Sequence, residues 1–287
     1  MSDKKSKSIR RMYPLTLTVA GSDSGGGAGI EADLRTFNAF GVFGCCVISA
    51  VTAQNPRHVT RIEAMSPEMV KAQIDAIVSC FAPAFMKTGM LADPEIVETV
   101  AAAAEKYRIK MICDPVLYAT CGSSLGGGEL LEVFRSRLLP AAAWITPNVP
   151  EAELILGDER KIASEKELFD AALALHERFG VSVVLKGGHL DLNVAVDAVC
   201  RDGKLYRLTS PLAEAGRYAA HGTGCTFSAA LTAGLTLDYP WKQALCEAKS
   251  FVLGSLSQSV ELAPGINAMY PPTEDCYELV KLEPYKD

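Results

Sequence analysis

Short apolar runs alternate with longer amphipathic segments along almost the whole chain, and this alternation limits the fold more than any other feature. Each apolar run has a length typical of a strand, and the segments between the runs have helical spacing. A chain that repeats strand then helix forms a mostly parallel sheet with helices packed on both faces. The sequence therefore predicts an α/β fold of three layers around such a sheet.

The individual elements can be placed along the sequence. The predicted strands are LTLTVAG (15–21), CVISAVTAQN (46–55), FMKTGM, MICDPV, WITPN and VVLKGG. Predicted helices cover 29–41, a segment that starts at Pro67 with Ser66 as N-cap, segments around 95–108, 128–138 and 164–179, and two starting near 224 and 240. Asp202-Gly203 within 194–210 is a turn signal, which predicts one antiparallel hairpin. We expect a flexible basic tail over 1–12 and a single domain over 13–287.

Composition excludes several classes of function. The net charge is −6 and the only basic cluster is KKSKSIRR (4–11), which argues against a nucleic-acid partner. No apolar run is long enough to cross a bilayer, so we expect no membrane partner and a soluble protein. The nine cysteines show no CxxC pairs or zinc-ligand spacing, which is typical of a reducing compartment, and we expect the cytoplasm.

Polar residues stand at the ends of the predicted strands, where open α/β sheets bind ligands. Asp114 ends MICD, and Asn148 and Glu151 follow WITP. Two carboxylates at strand ends offer oxygen ligands for Mg²⁺, held through water. Alternatively, Asn148 caps a helix and Glu151 faces its dipole. Lys186, after VSVVL, could contact a phosphate or extend its ammonium group to solvent.

A glycine-rich loop, GSDSGGGAGIEAD (21–33), connects the first strand to a helix. Glycines let a ligand approach the backbone, and helix amides attract anions, but the spacing matches neither the dinucleotide fingerprint nor a P-loop. Alone, the loop could be a tight turn and Asp33 a surface carboxylate. Gln54, at the end of the second strand, could bind the edge of a heterocycle or face water.

The segment HGTGCTFSAALTAG (221–234) passes from glycine-punctuated turns into an apolar helix. Gly222, Thr223 and Gly224 would present backbone amides that stabilise developing negative charge. A helix start lowers the pKa of a thiol, so Cys225 is predicted to accept a proton near neutrality, unless it only fills space. The loop 119–129, with four glycines, is predicted to be a lid or a mobile connection.

Motifs in register resemble those of the hydroxymethylpyrimidine and phosphomethylpyrimidine kinases of thiamine biosynthesis, in the ribokinase-like superfamily. They are AGSDSGGGAGIEADL, TAQN, KTGML, CDPV, TPNVPEAELIL, VLKGGH and HGTGCTFSAAL, spread over about residues 14–262. The resemblance implies a ribokinase-like three-layer sandwich and a homodimer. It also implies that ATP, with Mg²⁺, phosphorylates 4-amino-5-hydroxymethyl-2-methylpyrimidine and then its monophosphate.

The resemblance also assigns roles to residues. Asp33 and Gln54 would hold the aminopyrimidine, in a pocket shaped by Gly21, Met90 and Val116. Asp114, Asn148 and Glu151 would organise Mg²⁺ and the phosphates, with the metal held by Asp114 and Glu151, and Lys186 would reach the triphosphate. Gly222, Thr223 and Gly224 match the superfamily anion hole, and Cys225 occupies the position of the catalytic base.

Alternatives remain open at this level. Some relatives with the same cysteine motif phosphorylate pyridoxal-type vitamers, so a pyridoxal kinase on the same fold is the main alternative. A non-catalytic binding protein is disfavoured by the intact Asp114, Lys186 and GTGC set. A dehydrogenase built on the glycine loop is the weakest alternative. The extra glycine in Ser24-Gly25-Gly26-Gly27, where relatives often have proline or serine, should loosen this loop without removing its amides.

Overall fold

The predicted alternation of strands and helices is present in this computed structural model, which describes residues 12–117, 128–157, 161–188, 190, 192–213 and 218–286. The strands are β1 (Leu15–Gly21), β2 (Phe43–Gln54), β3 (Val59–Ala64), β4 (Phe85–Thr88), β5 (Lys110–Cys113), β6 (Trp144–Ile145), β7 (Ser182–Lys186), β8 (Ala195–Arg201), β9 (Lys204–Ser210), β10 (Val260–Ala263), β11 (Ile266–Ala268) and β12 (Lys281–Pro284). The helices are α1 (Gly29–Ala39), α2 (Pro67–Cys80), α3 (Pro94–Tyr107), α4 (Gly128–Val133), α5 (Leu139–Ala141), α6 (Val149–Leu156), α7 (Glu165–Phe179), α8 (Thr223–Thr236) and α9 (Trp241–Ser257). A π-helical segment (Phe134–Leu138) joins α4 to α5.

One large sheet has the strand order β12-β9-β8-β7-β6-β5-β4-β1-β2-β3. The strands from β7 through β1 to β2 pair in parallel, whereas β8, β9 and β12 on one edge and β3 on the other pair antiparallel. The parallel centre confirms the predicted α/β sandwich, and β8 and β9 confirm the predicted hairpin at Asp202-Gly203. A small separate sheet consists of β10 and β11.

Helices cover both faces of the sheet because alternate residues of its central strands point in opposite directions. In β7, Val183 and Leu185 belong to the apolar cluster that includes α2, α3, α6 and α7, whereas Val184 belongs to the cluster of α8 and α9. Helix α1 packs beside α8 through Phe37 and Ala229. Because these two apolar clusters cover the faces of the sheet, the edge at which the parallel strands end is left accessible.

Helix starts follow the predicted capping chemistry. The Ser66 hydroxyl accepts a hydrogen bond from the Met69 amide at 3.2 Å, and Pro67 is the first residue of α2. Asp93 caps α3 by accepting from the Glu95 amide at 2.8 Å. Side-chain oxygens thus satisfy amides that a helix leaves without internal partners.

Some elements were not predicted. Strand β3 gives no apolar pattern because nearly all of its residues are exposed, and β12 joins the sheet through its pairing with β9. The tail over 1–11 and most of the predicted lid, residues 118–127, lie outside the described residues. Within the described part of the chain, no helix combines the length and apolarity required to cross a membrane.

Candidate active site

Two adjacent clefts lie at the carboxyl ends of the parallel strands. The glycine-loop cleft, of about 70 Å³, is lined by residues that include Gly21, Ser22, Asp23, Gly29, Gln54, Lys87, Met90, Val116 and Cys225. The lysine cleft, of about 410 Å³, is lined by residues that include Asn148, Lys186, Gly188, Asp197, Thr223, Gly224 and Lys249. The first turn of α8 contributes to both clefts and therefore forms a wall between them.

Asp23 organises the glycine loop from within. Its carboxylate accepts hydrogen bonds from the amides of Gly25 (2.8 Å), Gly27 (3.1 Å) and Ala28 (2.9 Å), and lies 2.8 Å from Nε2 of His221. Burial on its own would raise the pKa of Asp23, but His221 and the backbone donors outweigh it and lower that pKa. The loop therefore closes around a carboxylate that stays ionised.

Close backbone contact joins this loop to the start of α8. Gly222 is the N-cap of α8 with φ 86°, and a Cβ at that position would overlap the carbonyl oxygen of Gly27. His221 packs beside Gly27, and its Nε2 lies 3.3 Å from Nε2 of Gln54. The loop, the end of β2 and the turn before α8 therefore form one connected wall.

Cys225 is the third residue of α8, and its side chain lines the glycine-loop cleft. No side chain of the described residues caps this helix. Burial raises the pKa of Cys225 to about 11, against the opposing effects of Lys87 and the Gly29 amide. The predicted lowering of this pKa is therefore wrong, because desolvation of the thiolate outweighs the groups that favour it.

Asp33 and Lys87 form an ion pair in which both side chains are 0% exposed. The Lys87 ammonium lies 2.9 Å from each carboxylate oxygen of Asp33, and Thr18 donates to the same carboxylate at 2.6 Å. Burial raises the pKa of Asp33, and Lys87 and Thr18 oppose it. Asp33 is thus not the surface carboxylate considered from sequence, and its contact with a substrate stays a prediction.

Asp114 and Lys186 form a second charged pair at the ends of β5 and β7. Lys186 Nζ donates to Asp114 Oδ1 at 3.0 Å, and the hydroxyls of Thr146 and Ser228 donate to the same carboxylate at 3.2 Å. Burial would raise the pKa of Asp114, but Lys186 and Lys87 outweigh it and lower that pKa. Lys186 therefore neutralises a carboxylate and does not extend freely to solvent.

Asn148 and Glu151 form a capping box at the start of α6. Asn148 accepts from the Glu151 amide at 2.9 Å, and the Glu151 carboxylate accepts from the Asn148 amide at 2.9 Å. The predicted cap is confirmed. Burial raises the pKa of Glu151 to about 7, with a smaller contribution from Asp114 and an opposing one from Lys186. The carboxylate is therefore poised to exchange a proton near neutrality.

The residues present fit an indirectly held magnesium ion. No group of three or more His, Cys, Asp or Glu side chains with metal-ligand geometry exists among the described residues, so a direct protein cage is absent there. Asp114 and Glu151 still provide two buried carboxylates, and a nearby divalent cation would relieve the repulsion by Asp114, which adds to the effect of burial on the Glu151 pKa. Mg²⁺ characteristically keeps its waters and binds through one or two carboxylates plus phosphate oxygens.

The structure gathers most predicted site residues at the two clefts. Gly21, Gln54, Met90, Val116 and Cys225 line the glycine-loop cleft, and Asn148, Lys186, Thr223 and Gly224 line the lysine cleft. Gly222, Asp114 and Glu151 lie behind these surfaces and contact or adjoin the lining residues. Cys225 and the glycine loop, which are about 200 residues apart in sequence, line the same cleft. The chemical roles stay predictions.

Sequence reasoning missed Asp23, His221 and Lys87. Asp23 had a usable signal, because aspartate two residues before glycine commonly binds a nearby amide in a turn. Lys87 also had one, since a lysine inside the otherwise apolar strand FMKT needs a buried partner. His221 had none, because its contact with Asp23 spans 198 residues of sequence.

Comparison with known sequences gives a consistent family. A family model described as phosphomethylpyrimidine kinase matches residues 23–270. A hydroxymethylpyrimidine/phosphomethylpyrimidine kinase from Rhizobium meliloti is 40% identical over 255 residues, which cover 88% of this chain and 94% of the relative. A thiamine biosynthesis bifunctional protein from Geobacter sulfurreducens is 39% identical over 250 residues (87% of this chain), and the chain spans about half (50%) of its length.

Solved structures share the fold. The phosphomethylpyrimidine kinase of Clostridium difficile 630 superposes with a TM-score of 0.72 at 36% identity, covering 83% of this chain and 97% of that one. The ADP complex of Bacillus subtilis pyridoxal kinase gives a TM-score of 0.81 at 30% identity, covering 91% of this chain and 98% of that one.

Proposed function

Since the chain belongs to the phosphomethylpyrimidine kinase family, we propose that it phosphorylates 4-amino-5-hydroxymethyl-2-methylpyrimidine, and then the resulting monophosphate, with ATP. One observation carries this proposal for the site: the first turn of α8 separates the two clefts, with Cys225 facing one and Thr223 and Gly224 facing the other. An acceptor in the glycine-loop cleft and a triphosphate in the lysine cleft would meet at this helix terminus, where backbone amides stabilise transferring negative charge.

The acceptor cleft suits a small, flat heterocycle. Gln54 brings an amide that both donates and accepts, and Met90 and Val116 supply apolar surface. Gly21 leaves space for the Met90 side chain in the cleft wall, because a Cβ at position 21 would overlap that side chain. Asp33 has no exposed atom, so we propose that it influences the acceptor through Lys87.

The lysine cleft supplies the charges that a nucleotide requires. Lys186 places an ammonium at its wall, and Gly224 lies so close that a Cβ there would be 3.0 Å from Lys186 Nζ. In the proposed complex, Lys186 and the α8 amides contact the phosphates, and Asn148 fixes the position of Glu151. Mg²⁺, bound through water to Asp114 and Glu151, supplies positive charge against the phosphates.

Transfer requires a proton to leave the hydroxymethyl group. In the proposed step the Cys225 thiolate accepts that proton, the hydroxymethyl oxygen bonds to the γ-phosphorus, and the bond to the ADP leaving group breaks. A thiol with a pKa of about 11 is almost entirely neutral at rest, so the site must stabilise the thiolate when the acceptor is bound. The second transfer differs, because a phosphate acceptor is already ionised and needs no base.

The remaining features of the proposal concern the cellular setting. We propose a cytoplasmic homodimer whose partners are small molecules, with neither a nucleic-acid nor a membrane partner. The net charge of −6 supports the exclusion of nucleic acid. Sedimentation of the purified protein at several concentrations would test the dimer.

A kinase assay across acceptors tests the activity. The protein, ATP and Mg²⁺ are combined with either the hydroxymethylpyrimidine or pyridoxal, ADP release is followed, and products are identified by mass. We expect the larger kcat/KM with the pyrimidine and a final yield of two ADP per pyrimidine. A larger kcat/KM with pyridoxal would show that the protein is a pyridoxal kinase, the alternative that shares its fold with the Bacillus subtilis enzyme. Absence of ADP with either acceptor would refute the kinase.

A further inference from the structure

The Asp33–Lys87 ion pair is completely buried beside the glycine-loop cleft. Lys87 lies in β4 and Asp33 in α1, with 54 residues of sequence between them, and neither side chain reaches solvent. Removing two charged groups from water is expensive, and such a pair contributes little to stability compared with apolar packing. A pair of this kind at a cleft therefore calls for a chemical role.

The position of Lys87 relative to the Cys225 thiol indicates a chemical role for the pair. Lys87 and Cys225 line the same cleft, and each affects the ionisation of the other. Gly89 leaves room for the ammonium, because a Cβ at Gly89 would lie 3.0 Å from Lys87 Nζ. The Gly29 amide, at the start of the helix that carries Asp33, also favours the thiolate. Lys87 and this amide therefore offset part of the cost of ionising the half-buried thiol.

Charged groups act on the thiol from each element around it. Lys87 on β4 favours the thiolate, Lys186 on β7 interacts with it, and Asp33 on α1 and Asp114 after β5 oppose it. The effect of Lys87 exceeds that of Asp33. Helix α8 itself adds no charged side chain in its first turn. Desolvation opposes the thiolate most strongly, and among the charged neighbours Lys87 is the strongest group that favours it.

We propose that Lys87 is a positioning residue for the proton transfer at Cys225: Asp33 holds the Lys87 ammonium beside the thiol, where it stabilises the thiolate, and Asp33 limits the strength of that effect. The role of the thiolate as base rests on the proposed function. The charge relation among the three residues does not, and it can be measured without substrate.

Alkylation of Cys225 measures this relation directly. Neutral iodoacetamide is added at pH 8 without ATP or Mg²⁺, and labelling of the Cys225 peptide is followed by mass spectrometry, with the exposed Cys80 as internal reference. An unscreened neighbouring charge shifts a pKa by roughly 1–3 units, and each unit changes the labelling rate by about fourfold because nucleophilicity partly offsets the thiolate fraction.

Lys87→Met and Asp33→Asn should act in opposite directions. We expect Lys87→Met to slow labelling by at least about fourfold and Asp33→Asn to accelerate it. If the pair were purely structural, the labelling rate of Cys225 would change in the same direction in both variants, and that result would overturn the proposal. An unchanged labelling rate in Lys87→Met would also overturn it. The double variant is the safeguard against misfolding, because it leaves no unpaired buried charge. It should label more slowly than the native protein, and an unchanged rate would count against the proposal.

A matched control exists in the other buried lysine–aspartate pair. Lys249 donates to Asp197 at 2.7 Å and lines the lysine cleft, whereas Lys87 and Cys225 line the glycine-loop cleft. Lys249→Met should leave Cys225 labelling unchanged, and equal slowing in this variant would show that any lost pair suffices, which refutes a specific role of Lys87. Turnover separates the two proposals: slowed labelling in Lys87→Met with unchanged kcat for the pyrimidine would support the charge relation and refute Cys225 as the base.

Discussion

Replacing Gly222 with alanine should destabilise the fold and disable the active site together. Gly222 has φ 86°, a left-handed conformation that costs an L-residue about 1–2 kcal/mol. The new methyl group would overlap the Gly27 carbonyl oxygen and lie 2.9 Å from its carbon and 3.2 Å from Cα of Ala28. These neighbours are backbone atoms, so they can move only with the whole glycine loop.

The two effects give the expected magnitude. Overpacking against a rigid neighbour typically costs about 1–3 kcal/mol, so Gly222→Ala should lower the free energy of unfolding by about 2–5 kcal/mol in total. Displacement of the loop by about 1 Å also misplaces the acceptor cleft relative to the α8 amides. A misplacement of that size reduces kcat/KM by about 10²-fold.

Gly203→Ala is the matched control, because Gly203 also has a left-handed φ of 70° but has no atom within 4 Å of a Cβ. It should lose only the backbone contribution, about 1–2 kcal/mol, and keep full activity. Urea unfolding and steady-state kinetics of both variants provide the comparison. Equal destabilisation of the two variants, or native activity in Gly222→Ala, would refute the argued contact between the loop and α8.

Two further predictions concern the chemistry. Cys225→Ala should reduce the turnover of the first phosphorylation by several powers of ten while nucleotide binding is kept. It should impair the second phosphorylation far less, because that acceptor carries no proton to remove. Equal losses of turnover in separate assays of the two acceptors would contradict the assignment of Cys225 as the base. The pKa of Glu151 is raised from 4.5 to about 7 in the folded protein, so the folded state binds the proton more tightly and the free energy of unfolding should fall as pH rises from 4.5 to 7. Glu151→Gln should remove that component of the pH dependence in Mg²⁺-free urea unfolding at pH 5 and 8, and identical profiles for both proteins would contradict it.

The pattern of the chain anticipated the order and kind of its main elements because those depend on short-range rules. The spacing of apolar residues, the helix N-caps and the turn residues are each encoded within a few positions of the chain, as the Ser66 cap and the Asp202-Gly203 turn show. The predicted α/β fold and family are confirmed on this basis. Strand β3 escaped prediction because its exposed residues carry no apolar period.

The sequence motifs also located the site, because parallel strands end at one edge and bring their terminal residues together. Position alone thus placed Gln54 and Lys186 at this edge of the sheet, whereas Gly21 was assigned through the family resemblance. The hydrogen-bond partners within the site could not be predicted from the sequence. Asp114, for example, accepts from Ser228, which lies 114 residues away along the chain.

Residue order by itself determined the layered sheet, the strand ends that carry the clefts and the glycine-punctuated start of α8. The tertiary structure alone decided the ionisation of the site: it half-buried Cys225 and raised its pKa to about 11, and it paired Asp33 with Lys87 at the same cleft. The physical reason is that periodicity is a local property of the chain, whereas desolvation and Coulomb interaction depend on distances that only the complete fold sets.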